Sequence, residues 1–305
     1  MSGSLQDPIE RAKTSLEGVS VGDAFGETFF VNPDLVEGLI AQRALAARTW
    51  NYTDDTLMAM SVFSVLRQHR HIHQPTLAQS FAERYERTRG YGPAIHRLLW
   101  EIKCAEDCGE RASSLFAGQG SFGNGGAMGV APVGAFFADD INAVVEQAAR
   151  SSVITHTHDE AIAGAIAVAV AVAQACLLRS SAGVPRRSEF LDLVLPHVPE
   201  SEVRSKIRQA RDMSANASVQ FAVSVLGNGV KVSAQDTVPF ALWCAAEQLS
   251  NYEEALWLTV SGLGDRDTTC AIVGGIVASY TGTDGIPSEW LKARERLPAW
   301  PFAET

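Results

Sequence analysis

The sequence predicts an all-α protein, and three observations carry that prediction. Apolar residues recur at helical spacing in segment after segment. Period-two alternation over the length of a strand is scarce. Glycines and prolines stand between the periodic segments, where helices end and begin. The chain has 305 residues, 46% of them apolar and 20% charged. That is enough to bury a sizeable core without disulfide or metal staples. We expect a single domain over residues 1–305.

Residues 56–66, 77–85, 94–102, 141–149, 203–213 and 252–260 each place an apolar stripe on one helical face. Residues 219–226 are β-branched enough to read as helix or strand, and 229–232 as a short extended piece. Pro33, Pro75, Pro93, Pro185, Pro239 and Pro287 suit first helical turns. Gly38, Gly90, Gly92, Gly183, Gly227, Gly229 and Gly282 are expected between helices. The most apolar stretch, 161–178, approaches the length that spans a membrane. It is built from small residues, carries Gln174 and follows His and Asp, so it reads as the buried central helix of a helical domain.

The formal net charge is −10. A duplex-binding protein needs a basic footprint, and none is visible. A small phosphate-bearing ligand can still be held locally by backbone N–H groups. Cys104, Cys108, Cys176, Cys244 and Cys270 are odd in number and lack zinc-type spacing, so they read as reduced thiols. No basic start leads into an apolar run at the N-terminus. Both features point to a cytoplasmic protein without a membrane partner.

Two acidic segments carry the chemistry. Thr53-Asp54-Asp55-Thr56 stands immediately before an apolar helix, with Thr53 in N-cap position. Alone, it reads most simply as helix capping, since Asp is favoured at the positive end of the helix dipole. Asp265-Arg266-Asp267-Thr268 precedes a second apolar helix, after Gly262 and Gly264, which permit a tight bend. Each segment puts two carboxylates and a Thr hydroxyl at a helix mouth. Together they form an all-oxygen set suited to Mg²⁺ or Mn²⁺ rather than zinc. If they meet, like charges ~4 Å apart repel by about 4 kcal/mol at an effective dielectric of ~20. Helix dipoles offset only about 1 kcal/mol each. A pair of divalent cations is the natural remedy. Spacing by itself does not show that the segments meet.

Three further segments complete the pattern. They are Gly18 to Gly26 with Gly22-Asp23-Ala24, Ser121-Phe122-Gly123-Asn124-Gly125-Gly126, and Thr155-His156-Thr157-His158. The second alone is a phosphate signal of moderate strength, as flexible backbone ahead of a helix can aim N–H groups at an anion. In this order the five segments resemble the ADP-ribosylglycohydrolase family, across nearly the whole chain. The resemblance implies an orthogonal bundle of many helices, with a dinuclear Mg²⁺ centre at the base of a cleft.

By position, the resemblance makes Thr53, Asp54, Asp55, Asp265, Asp267 and Thr268 the metal ligands. Ser121, Gly123, Asn124 and Gly125 match the loop holding the diphosphate and ribose, and His156 a histidine near the phosphates. Tyr91, in Arg89-Gly90-Tyr91-Gly92, belongs to a loop bordering the cleft, where a plain turn is the competing reading. The implied reaction is hydrolysis of an ADP-ribosyl linkage, foremost ADP-ribosyl-arginine on protein, releasing free ADP-ribose. Asp55 or Asp265 would orient or deprotonate the attacking water. Serine linkages, small-molecule acceptors and modified nucleic acid stay open as substrates. Two positions depart from the family pattern. A glutamate is common where Phe30 stands, with Glu27 the nearest acidic substitute, and an arginine where Gly129 stands. A catalytically silent ADP-ribose-binding or structural protein is the rival these departures suggest. His69, His71 and His73 read as a solvated helix end.

Overall fold

The computed structural model describes residues 7–103, 119–181 and 183–303. Cys104 and Cys108 lie outside the described residues. The protein is all-α. In chain order its helices are α1 (Pro8–Glu27), α2 (Pro33–Ala41), α3 (Asp54–His69), α4 (Gln74–Arg84), α5 (Pro93–Lys103), α6 (Gly125–Met128), α7 (Ala131–Phe136) and α8 (Ile141–Ser152). These are followed by α9 (Asp159–Leu178), α10 (Arg187–Val194), α11 (Glu202–Asp212), α12 (Val219–Leu226), α13 (Ala234–Glu247), α14 (Tyr252–Val260), α15 (Arg266–Thr281) and α16 (Ser288–Ala293). Among the described residues β-pairing is limited to two isolated bridges, Trp50 with Arg294 and Gly123 with Ser233.

Local chemistry explains most helix starts. Side chains of Asp7, Asn32, Thr53, His73, Asp140, His158, Ser201, Ser218 and Asn251 each accept a backbone N–H of the first turn they precede. The expected solvated histidines thus include a cap: His73 starts α4, and the His69 ring stacks on it at 4.6 Å.

The central position is held by α9, which is long and apolar enough to cross a membrane but is mostly buried in the protein. Around it, α1 and α15 form the tightest helix pair. Gly18, Gly22 and Gly26 repeat every four residues along one face of α1. A Cβ at these positions would meet the carbonyl oxygens of Gly274, Cys270 and Arg266 at 2.3, 2.1 and 2.2 Å. Only glycine allows backbone to lie on backbone this closely, so the stripe sets the depth and register of the pair. A knot of aromatics fixes the end of α1. Phe25 stacks on Trp290 at 4.6 Å and meets Trp257 edge-on at 5.0 Å and Trp50 at 5.8 Å. Each such pair contributes about 0.5–1.5 kcal/mol beyond its buried area.

Several expectations change. Residues 219–226 are helical, in α12, capped by Ser218. Residues 229–232 form a turn closed by Val232 N–H donating to Gly229 O, rather than an extended piece. Gly38 lies within α2 instead of after it. Pro239 sits inside α13, not in a first turn. A proline there leaves the carbonyl four residues earlier without its helical donor. That carbonyl, of Gln235, accepts the Lys206 ammonium at 3.0 Å instead. Cys176, Cys244 and Cys270 are buried free thiols.

Candidate active site

The two acidic helix mouths converge. Thr268 Oγ1, in the first turn of α15, lies 3.3 Å from Asp55 Oδ2, in the first turn of α3. Thr53 caps α3, its hydroxyl accepting from Asp55 N–H, and its Oγ1 also stands 3.1 Å from Asp55 Oδ2. Asp265 opens α15 and accepts Asn124 Nδ2 at 2.6 Å, which ties the glycine-rich loop to the same corner. Asn124 also reaches Thr237 Oγ1 at 3.1 Å.

Asp23 holds this arrangement from beneath, and the sequence reading did not single it out. It is fully buried on α1 and accepts four hydrogen bonds, from the N–H and hydroxyl of Thr53 and from the N–H and hydroxyl of Thr56. The glycine stripe carries Asp23 to α15, and these bonds tie it to α3, so α1 links the two mouths. A legible signal existed. A carboxylate among Val21, Ala24 and Phe25, in the apolar C-terminal half of the helix, has to be buried with partners.

The cleft above has a volume of about 540 Å³. Its floor holds Asp54, Asp55, Asp265, Asp267 and Thr268, one wall holds Ser121 to Gly125 with His156, and the rim holds Gly90, Tyr91 and Lys231. The loop wraps the His156 imidazole so closely that a Cβ at Gly125 would fall 2.6 Å from its Cε1. Gly123 N–H is taken by Ser121 Oγ and Asn124 N–H by Val232 O. Gly125 and Gly126 open α6, where the first N–H groups of a helix lack an intrahelical acceptor, and Gly125 lines the cleft. Burial pushes His156 down to about 4, so the ring is neutral. Its Nδ1 lies 2.8 Å from Thr155 Oγ1.

Burial and mutual repulsion lift the carboxyls. Burial raises Asp265 to about 8, with Asp267 adding to the rise and Asn124 opposing it. Burial raises Asp23 to about 7 against the lowering effect of its Thr56 and Thr53 hydrogen bonds. Asp54 and Asp55 are pushed well above the carboxylate range, first by burial and then by neighbouring aspartates. Asp55 Oδ1 and Asp267 Oδ1 are buried without a hydrogen-bond partner among the described residues. No three acidic, imidazole or thiol groups among the described residues close into a ready cage. The donors are carboxylates mixed with Thr hydroxyls. Such crowded, partly orphaned oxygens are the donor set that a hard divalent cation takes.

The family departures acquire a structural meaning. Phe30 is 45% exposed and lies under the Arg266 guanidinium at 4.3 Å, turned away from the floor. Glu27 ends α1 half-buried. Burial and Asp267 raise its pKa, while Arg48 and Arg266 lower it. It is in electrostatic reach of the floor but does not line the cleft. At Gly129 a Cβ would stand 3.1 Å from Ala59 N on α3, which leaves little space for a long side chain.

Comparison with known proteins agrees with this architecture. Residues 4–304 match ADP-ribosylglycohydrolase. The ADP-ribosylhydrolase ARH3 of Gallus gallus is 28% identical, over 94% of this chain and 90% of that protein. The ADP-ribosylarginine hydrolase Tri1 of Pseudomonas putida (strain GB-1) is 25% identical, over 94% of this chain and 75% of that protein. A solved ADP-ribosylglycohydrolase-related protein complex shares the fold, with a TM-score of 0.66 and 23% identity over 95% of this chain and 94% of that one. With a match that runs almost end to end, the chain belongs to the ADP-ribosylglycohydrolase family.

Proposed function

We propose that this protein is a Mg²⁺-dependent hydrolase that releases ADP-ribose from a modified acceptor. The observation that carries the reading is the meeting of Asp55 with Thr268, beside two buried carboxylate oxygens that lack partners. Thr53, Asp54, Asp55, Asp265, Asp267 and Thr268 would hold the cations. Four carboxylates balance two divalent ions, with Mn²⁺ an alternative of the same ligand preference. When bound, the ions supply Lewis acidity and lower the pKa of coordinated water.

The remaining roles belong to the chain. Asp55 and Asp265 face the cleft from opposite helix mouths, so either is placed to orient the attacking water and accept its proton. Glu27 is the nearest acidic group to stand in for the glutamate absent at Phe30. The Gly125 N–H group, with Ser121 and neutral His156 alongside, suits the diphosphate. Asn124 couples that loop to Asp265, so a seated diphosphate also positions the sugar. Tyr91 shapes the leaving-group side. ADP-ribosyl-arginine is the leading substrate, the linkage for which the similar Pseudomonas putida hydrolase Tri1 is named.

The test is direct. Purified protein is offered arginine-linked, serine-linked and nucleic-acid-linked ADP-ribose, with millimolar Mg²⁺ and with chelator. The proposal expects Mg²⁺-dependent release of free ADP-ribose, fastest from arginine. No turnover of any linkage would sink the enzymatic reading. Calorimetric binding of ADP-ribose without turnover would establish the silent alternative, and phosphate release would mark a phosphohydrolase.

A further inference from the structure

Arg89, next in the chain to the cleft residue Gly90, makes four side-chain hydrogen bonds. Its Nη1 donates to Tyr52 O at 2.9 Å and to Glu295 Oε2 at 2.7 Å, and its Nη2 donates to Glu295 Oε1 at 2.9 Å. Its Nε donates to Glu86 Oε2 at 2.9 Å. The guanidinium also lies 4.2 Å over the Tyr52 ring. The fork is mostly buried, with 16% of the side chain exposed against 29% for Glu295.

These contacts converge on the entry to α3. Trp50 N–H donates to Ala293 O, and Glu295 N–H returns to Trp50 O. Two residues on, Tyr52 O is the carbonyl that Arg89 holds. Thr53 is fixed by Asp23. Asp54 N–H, one of the donors a helix start leaves unpaired, is accepted by the main-chain oxygen of Arg89 at 2.8 Å. The next residue, Gly90, has φ +96°, and its position presses backbone against Asp54, with a Cβ falling 3.2 Å from Asp54 Oδ1. Tyr91 then lines the cleft. A single residue thus joins the C-terminal segment, the lead into α3, the Asp54 backbone and the rim loop.

We infer that Arg89, locked by Glu295, is a positioning residue that sets Asp54 for cation binding and holds the Gly90–Tyr91 rim against it. The inference rests on the Mg²⁺ reading above. Its physical basis is that groups orienting a ligand side chain without touching the ion commonly govern affinity by about 10- to 100-fold. A lysine cannot reproduce the planar fork that grips a carboxylate and a carbonyl together.

The experiment is a calorimetric Mg²⁺ titration of the full chain and of Arg89→Ala, Arg89→Lys, Glu295→Gln and the Arg89→Ala/Glu295→Gln double variant, alongside the Mg²⁺ dependence of ADP-ribose release. We expect Mg²⁺ affinity to fall about tenfold in Arg89→Ala and in Glu295→Gln, with Arg89→Lys failing to restore it. The double variant should be no worse than Arg89→Ala, because that change already removes the Glu295 contact. Should Arg89→Ala prove insoluble, Arg89→Lys and Glu295→Gln carry the test. Variants that melt at lower temperature yet bind Mg²⁺ within twofold of wild type would show a merely structural role and overturn the inference. Absence of Mg²⁺ binding by the wild type would overturn the cation reading as well, so the two failures are distinguishable.

Discussion

Thr268 and Asp55 are 213 residues apart in the chain and 3.3 Å apart in the fold. That contact joins the mouths of α3 and α15, and it exists because α1 lies across both. The glycine stripe sets α1 against α15, and Asp23 binds it to the first turn of α3. The consequences can be measured.

Removing one floor carboxylate should separate activity from stability. Asp267→Asn and Asp55→Asn are each expected to lower Mg²⁺-supported ADP-ribose release by about 100-fold or more, given the several kcal/mol a bound metal contributes to a transition state. In chelator, Asp267→Asn should melt no lower than wild type, because a repulsive partner of Asp265, Asp54 and Asp23 is gone. Thermal melts in chelator beside initial rates in Mg²⁺ decide this. A variant that unfolds early in chelator would contradict the repulsion argument.

The acid cluster predicts a pH dependence with a definite sign. A carboxyl whose pKa is higher folded than unfolded stabilises fully below its unfolded value, 3.8 here, and loses that contribution as pH climbs through the folded value. Asp23 at about 7 and Asp265 at about 8 spread the loss from pH ~4 to ~8, above which it levels off. In chelator the melting temperature should fall across that window. Mg²⁺, which replaces the protons, should abolish the fall. A chelator-treated protein that gains stability across the window would refute the assignment.

His156 acts in the opposite direction and in a lower window. Its pKa drops from 6.5 to about 4 on folding because the ring is buried. Between those values the unfolded chain holds more protons, so stability is lost as pH falls. The loss approaches about 3 kcal/mol at the acid end. The stability difference between wild type and His156→Gln should therefore shift against wild type as pH drops from 6.5 to 4. Denaturant titrations of both at several pH values measure it, and a pH-independent difference would rule it out.

Two glycines should respond oppositely to alanine. At Gly22 a Cβ would stand 2.1 Å from the Cys270 carbonyl oxygen, so Gly22→Ala has to push α1 off α15. A cost of about 1–3 kcal/mol or more is expected, with weaker Mg²⁺ binding as the mouths part. At Gly38, within α2, nothing lies within 4 Å of a Cβ. Gly38→Ala should stabilise by up to about 1 kcal/mol through helix propensity. Equilibrium unfolding of the pair tests whether close backbone approach or glycine content governs the effect.

Much of the architecture was legible because helices are local objects. Periodicity marked α4, α5, α8, α11 and α14 to within a few residues, and Thr53 capped α3 as its sequence suggested. Pro239 misled because the rule that places proline is local, whereas a tertiary partner overrides it, and Gly38 because a helix interior tolerates a glycine at a cost of about 1 kcal/mol. Lys206, on α11, supplies a donor to the carbonyl that Pro239 leaves without one. Segment 219–226 carried β-branched residues, yet Ser218 at its start and the apolar face it presents to the core decided for helix.

The site divides along the same line. By itself the sequence determined which side chains stand at helix mouths, since capping and the first-turn preference for acids depend on neighbours in the chain. It also determined that these groups are oxygen donors of the kind divalent cations take. Only the tertiary structure decided that the two mouths face each other, that α1 joins them through Asp23 on one side and its glycines on the other, that Phe30 turns outward beneath Arg266, and that Glu27 stays off the cleft wall. The reason is physical: spacing encodes contacts over a few residues, while contacts across hundreds arise from which helix faces can pack closely enough, and here bare backbone at Gly18, Gly22 and Gly26 made that choice.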